Sequence, residues 1–168
     1  MTETDQTTPA AAAVSAGDLL MQEGDIAGDY LERLLDIADV DGDIDMDVEG
    51  DRAIVAIVGE GLDALVGPNG ATLDALQELT RLAVVQQTGV RSRLMLDIGG
   101  WRAQRKTDLT EVGTKAAQRV LESGEPVSLA AMTPFERKIV HDAIAAVDGV
   151  VSESEGVEPE RRVVVLPA

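Results

Sequence analysis

Residues 132–141 read Met132-Thr133-Pro134-Phe135-Glu136-Arg137-Lys138-Ile139-Val140-His141. Thr133 followed three residues later by Glu136, with Pro134 at the first helical position, is the pattern of a capping box. The threonine hydroxyl accepts from the Glu136 amide, and the glutamate reaches back to the Thr133 amide. A helix is therefore predicted from Pro134, with Phe135, Ile139, Val140, Ala143, Ile144 and Val147 as its apolar stripe and Gly149 as its end. Arg137 and His141 are four residues apart and share a helix face. They are expected outside the stripe, exposed together as donors for phosphate or sugar oxygens; a plain solvated face is the competing reading of the pair alone.

Outward from this helix the elements alternate. C-terminal to it, Val150–Glu155 and Arg161–Leu166 read as a hairpin joined across Gly156–Pro159. N-terminal to it come a short strand, Val127–Ala130, and a long helix from about Trp101 to Glu122. That helix carries Leu109, Val112, Ala116, Val120 and Leu121 inward and is decorated by Arg102, Arg105, Lys106, Lys115 and Arg119. Gly99-Gly100 marks a boundary. Before it, the pattern gives a helix over Ile26–Ile37 and a strand, Asp43–Val48, with Ile44, Met46 and Val48 on a buried face and acids on the other. A more central strand, Arg52–Val58, follows, then a short helix Leu62–Val66, a helix Ala71–Gln87 and a strand Arg93–Ile98. The fold class is α+β: α-β-β-α-α-β over 25–98, then α-β-α-β-β over 99–168. Residues 1–24, rich in Thr, Ala, acid and Gly, are expected to form a disordered acidic tail.

Composition removes several functions. The 168 residues contain no Cys and one His, so thiolate chemistry and multi-histidine metal sites are excluded. Only Tyr30, Trp101 and Phe135 are aromatic, too few for rows of stacking rings. Trp101 reads as a packing anchor at the boundary more readily than as a stacking platform. The acidic run Asp39–Glu49 fails as a calcium loop in either register, because Gly is missing at position 6 and Glu at position 12. No phosphate-binding Gly-x4-Gly-Lys motif occurs. No paired carboxylates or activated nucleophile are evident, so an enzyme is not expected, nor a cofactor. The first basic residue is Arg33 and no apolar run approaches bilayer length, so a cytoplasmic protein without membrane insertion is expected.

The formal net charge of -17 argues at first against a polyanionic partner. The charge is unevenly placed. Residues 1–80 hold two basic and nineteen acidic side chains, which accounts for all of it, whereas residues 81–168 are neutral with twelve of each. Between Arg91 and Arg119 seven basic residues face three acidic ones.

Gly67-Pro68-Asn69-Gly70 lies between two helices and after two strands. Glycines let a backbone approach a ligand closely, and the amides opening the helix at Ala71 favour phosphate. Such a GxxG loop clamps about four nucleotides in a KH domain, and the order α-β-β-α-α-β resembles the type II form of that domain. The pair between the glycines carries no charge here. With residues 132–141 and the later Ser154-Glu155-Gly156-Val157-Glu158-Pro159-Glu160-Arg161-Arg162-Val163-Val164-Val165, the chain resembles, over about 25–166, the Jag (KhpB, SpoIIIJ-associated) family of bacterial RNA-binding proteins.

The resemblance implies a KH-like domain followed by an R-3-H domain, a three-stranded antiparallel sheet packed on two helices. It also implies binding of single-stranded RNA, with DNA as an alternative, and a second small KH protein as partner. The expected role is post-transcriptional regulation linked to cell elongation or division; a protein-interaction adaptor with weakened RNA affinity is the alternative. The expected nucleic-acid contacts are Gly67, Pro68, Asn69, Gly70, Arg102, Arg105, Lys106, Arg137, Lys138, His141, Arg161 and Arg162. Bases are expected against an apolar groove containing Val66 and Leu73. Alternation along the last strand would send Arg161 and Arg162 to opposite faces, so that only one could join the other cations.

Overall fold

Ser15 accepts a hydrogen bond from the Asp18 amide and so opens helix α1, Ala16–Ala38. The structure, a computed structural model, describes residues 15–168, and the chain divides into two units after Gly100. Helix α1 begins ten residues earlier than periodicity indicated, so the expected tail is corrected: 16–24 are helical, and 1–14 lie outside the described residues. The inward stripe is Ile26, Leu31 and Leu35, and Ile37 is 87 % exposed. Gly24 and Gly28 face the next strand. Their missing side chains make room for the Met46 sulfur, 3.1 Å from where a Gly28 Cβ would stand.

Strands β1 (Asp43–Glu49), β2 (Arg52–Val58) and β3 (Met95–Ile98) form one sheet in the order β1-β2-β3. The first pair is antiparallel and the second parallel. Between β2 and β3 come helix α2 (Asp63–Val66), a 3-10 turn (Pro68–Gly70) and helix α3 (Ala71–Thr88), which ends on Gly89 in the left-handed region. Ala53, Val55 and Ile57 of β2, and Leu96 and Ile98 of β3 with the preceding Leu94, are fully buried. As the nearly all-apolar sequence of β2 implied, it is the central strand. The expected buried face of β1 is only partly so: Ile44 is half-buried, but Met46 and Val48 are exposed, because β1 is an edge strand. The register places Asp43, Asp45, Asp47 and Glu49 beside Val58, Ala56, Ile54 and Arg52 on the opposite face.

Two polar devices tie this unit together. Buried Glu23 accepts from the Ser92 hydroxyl at 2.7 Å, and the Leu94 amide donates to the same hydroxyl at 3.1 Å. Arg81 Nε donates to the Leu94 carbonyl (2.7 Å) and Gln77 accepts from the Leu96 amide (3.1 Å). Side chains of α3 thus satisfy part of the β3 edge that would otherwise recruit another strand.

The second unit packs helices α4 (Trp101–Ser123) and α5 (Pro134–Ala145) against strands β4 (Val127–Ala131), β5 (Val150–Glu155) and β6 (Arg162–Pro167). The sheet order is β4-β6-β5, antiparallel throughout. Its core joins Leu109, Ala116, Ala117 and Val120 to Val140, Ile144, Val150, Val163 and Val165. Gly113 lets the helices meet: an added Cβ would stand 3.1 Å from the Val140 carbonyl. Val112 and Leu121, expected inward, are exposed. Phe135, expected in the apolar stripe, is 72 % exposed. At roughly 100° per residue, Phe135 lies about 180° from Ile144, so one helix face cannot bury both.

Candidate nucleic-acid interface

In the first unit the loop Gly67–Gly70 is shaped by conformations that suit glycine. Gly67 has φ 70° and ψ -178°, a region essentially closed to other residues, and a Cβ there would stand 2.1 Å from the Thr72 hydroxyl. Asn69 (φ 53°) and Gly70 (φ 77°) are left-handed, and Gly70 caps α3 without a side chain. Pro68 and Asn69 are exposed, whereas Gly70 is buried. The loop closes on itself, the Gly70 amide donating to the Gly67 carbonyl (3.3 Å) and the Ala71 amide to the Pro68 carbonyl, and it turns Pro68 and Asn69 outward. Leu73 is fully buried, which corrects its expected place in an apolar groove: it belongs to the core, and Val66 is half-buried.

In the second unit the capping box forms as predicted, with the Thr133 amide donating to Glu136 at 3.0 Å and the Glu136 amide to Thr133 Oγ1 at 3.4 Å. The Glu136 carboxylate also receives Arg105, Nε at 2.8 Å and Nη2 at 2.7 Å. Burial alone would raise the Glu136 pKa, but the Thr133 amide and hydroxyl and the Arg105 guanidinium together hold it below the ordinary carboxylate value.

The expectation that Arg137 and His141 are exposed together is corrected. Arg137 is 8 % exposed; it donates to the Met132 carbonyl (2.7 Å) and to Glu158 (2.5 Å). The wheel that puts Phe135 outside places Arg137 about 20° from Ile144, on the core side. The guanidinium reaches past the packed layer to clamp the start of α5 to the β5–β6 connection, where the Met132 amide also donates to the Arg161 carbonyl. His141 is half-buried between two hydroxyls, Ser152 on Nδ1 (2.7 Å) and Ser154 on Nε2 (2.8 Å). In neutral imidazole one nitrogen donates and the other accepts, which this pair of hydroxyls can match. The two serines were not singled out from sequence. Their signal was the alternation of β5, which puts Val150, Ser152 and Ser154 on the face toward the helices.

The other expected contacts are dispersed. Lys138 is exposed and pairs with Asp142 at 2.7 Å, Lys106 is exposed, and Arg102 is half-buried. Arg161 and Arg162 are both exposed. Arg162 opens β6 opposite Glu155, two residues from Val164, so it occupies the sheet face away from His141; Arg161 precedes the strand, so alternation does not govern it. Three of the expected cations thus pair with carboxylates of the unit: Arg105 with Glu136 and Arg137 with Glu158 in part-buried contacts, and Lys138 with Asp142 in an exposed one. Among the described residues no group of three potential metal ligands occurs, and no helix is long and apolar enough to cross a membrane.

Two helices on a β4-β6-β5 sheet, with a capped Arg-x-x-x-His helix, define the class of the second unit. A family model for the R-3-H domain matches residues 107–167. Curated relatives extend the similarity into the first unit. A Clostridium symbiosum protein named RNA-binding protein KhpB is 34 % identical over 143 residues, covering 84 % of this chain and 64 % of its own length. Proteins of the same name from Bacillus subtilis (32 % over 118 residues; 69 % and 56 %) and Lactiplantibacillus plantarum (31 % over 137 residues; 82 % and 42 %) also match. The chain contains an R-3-H domain and is similar, across both units, to proteins of the Jag/KhpB family. It spans 42 to 64 % of the length of these relatives.

Proposed function

We propose that this chain binds single-stranded RNA and is not an enzyme. The observation that carries the reading is the R-3-H match together with relatives named as RNA-binding proteins. The first unit is read as a type II KH-like domain, on the order α-β-β-α-α-β and on a Gly67–Gly70 loop that opens a long helix without a side-chain cap. Backbone phosphates meet the exposed Pro68–Asn69 turn at the positive end of helix α3. Lys106, Lys138 and Arg161 supply exposed charge in the R-3-H unit, and exposed Phe135, three residues before Lys138, offers a ring for a base. Arg137 acts by fixing the frame of this face.

The biological role that fits is cytoplasmic post-transcriptional regulation linked to elongation or division, with a second small KH protein as partner. A second reading, a protein-interaction adaptor with weakened RNA affinity, is favoured by the carboxylates that occupy Arg105, Arg137 and Lys138. Fluorescence anisotropy with a labelled single-stranded RNA, titrated with salt, separates them. RNA binding requires an affinity that falls as salt rises. No binding at low salt would leave the adaptor. A DNA strand of the same sequence tests the sugar, since no side chain is assigned to the 2′-hydroxyl.

A further inference from the structure

We infer that Arg52, Arg81, Arg91 and Arg93 form a phosphate basin in the first unit, a second anchor for the nucleic-acid backbone apart from the Gly67–Gly70 loop. The inference rests on the RNA-binding reading and adds to it a site that neither motif contains. The four arginines and Ser92 line an open hollow of about 520 Å³. Arg52 opens β2, Arg81 extends from the middle of α3, and Arg91 and Arg93 lie on the segment entering β3. The parallel register, Ile54 beside Met95, brings the starts of β2 and β3 together, so residues 39 positions apart in sequence meet at one end of the sheet.

This concentration stands out in a unit whose first 80 residues carry the whole negative charge of the chain. Residues 1–80 contain only two basic side chains, and Arg52 is one of them. Placing it with three arginines from 81–93 creates a local reversal of sign, the condition for steering a polyanion to one spot on an acidic body. Arginine suits the task because its planar fork donates two parallel hydrogen bonds to a phosphate and stays charged at every relevant pH.

The carboxylates nearby leave the basin usable. Arg81 pairs with Glu78 and Arg93 with Asp51, and both acids are about two-thirds exposed. Exposed pairs of this kind are worth little and yield to a competing anion. Glu49 stands opposite Arg52 in the β1–β2 register without an ion pair to it, and buried Glu23 is engaged by the Ser92 hydroxyl. Arg52 and Arg91 make no ion pair among the described residues. In the R-3-H unit two of the pairs are more buried: Arg105 meets the largely buried Glu136, and Arg137 is itself buried where it meets Glu158.

Position gives the basin a function. Arg81 lies about ten residues along α3 from the loop, roughly 15 Å of helix rise, so a strand gripped at Gly67–Gly70 has a second fixed point beyond the roughly four nucleotides the loop clamps. Two fixed points set direction as well as affinity.

The test compares the full chain with an Arg52→Gln, Arg91→Gln double variant, using a labelled oligouridylate of about twelve nucleotides, three times the loop's span. These two arginines are chosen because neither holds the fold through a hydrogen bond or ion pair; equal melting temperatures check this. Each phosphate contact on a single strand contributes about 0.7 to the slope of log K against log salt, so losing two should make the slope about 1.4 shallower. Over the decade from 0.1 to 1 M salt that difference amounts to a loss of about 25-fold in affinity at 0.1 M. The Arg52→Lys, Arg91→Lys variant should recover most of the slope. An unchanged slope in the glutamine variant, or no recovery with lysine, overturns the basin and leaves the RNA-binding reading standing. Absence of binding by the unmodified chain at low salt overturns both. If inorganic phosphate, at constant ionic strength, saturates the basin and abolishes the difference between the chains, the ligand is a free phosphate and the strand assignment falls.

Discussion

Replacing Arg137 by alanine should melt the R-3-H unit well below the parent, because the guanidinium is part of the frame. It is 8 % exposed, donates to the Met132 carbonyl at 2.7 Å and pairs with Glu158 at 2.5 Å. Truncation removes a charge-assisted hydrogen bond, worth about 1.5–3 kcal/mol, and strands the carbonyl it satisfied. The Glu158 end contributes less, since that carboxylate is half exposed and water replaces the arginine there. Together the loss is about 2–4 kcal/mol. For a unit of this size each kcal/mol shifts the midpoint by about 4–8 °C, so a fall of about 8–30 °C is expected by calorimetry or far-ultraviolet circular dichroism. Glu158→Gln is the companion. It keeps a neutral acceptor for the arginine, should cost under about 1 kcal/mol, and should strengthen RNA binding by removing a half-exposed negative charge from this face. A midpoint within about 3 °C of the parent for Arg137→Ala would refute the structural assignment, because that shift corresponds to less than one hydrogen bond. Loss of RNA binding by Arg137→Ala is informative only at a temperature where the variant is folded.

Gly67→Ala forces a side chain into φ 70°, ψ -178° and against Thr72, so it should destabilise the first unit by about 1–3 kcal/mol, measured by urea unfolding; a midpoint equal to the parent's would show that the loop relaxes freely. The Glu136 carboxyl is held below its ordinary value, so its ionised form stabilises the fold above the unfolded-state value, and this contribution is lost as pH falls through the folded-state value. Glu136→Gln should therefore lower stability at neutral pH and converge on the parent in acid, and parallel stability curves down to about pH 3 would contradict the assignment. Gly113→Val should cost about 1–3 kcal/mol by overpacking the α4–α5 crossing, where Ala143 and the Val140 carbonyl already stand 3.0 and 3.1 Å from an added Cβ; an unchanged melting temperature would mean that the helices separate without penalty.

Local rules gave the element order, the α+β class and the capping box because each rests on a few adjacent residues. Thr133, Pro134 and Glu136 fix a helix start among themselves, and the apolar run of β2 can be satisfied only in the middle of a sheet. The same reasoning misplaced Phe135 and Arg137. A list of apolar residues is not yet a face, and wheel geometry puts Arg137 near Ile144 and Phe135 opposite it. The early start of α1 has no periodic signature: its opening rests on the Ser15 cap and on Glu23 accepting from the distant Ser92 hydroxyl.

Taken alone, the sequence determined what could be there: which residues carry charge, that chemistry dependent on thiolates or several histidines is absent, and in what order helices and strands follow. Tertiary structure decided which of those charges are available. A cation's worth to a ligand depends on what already neutralises it, and partners such as Glu158 for Arg137 or Ser152 and Ser154 for His141 are set by the return of a hairpin. The gathering of Arg52 with Arg81, Arg91 and Arg93 has the same cause: parallel pairing of β2 with β3 joins segments that no local pattern connects.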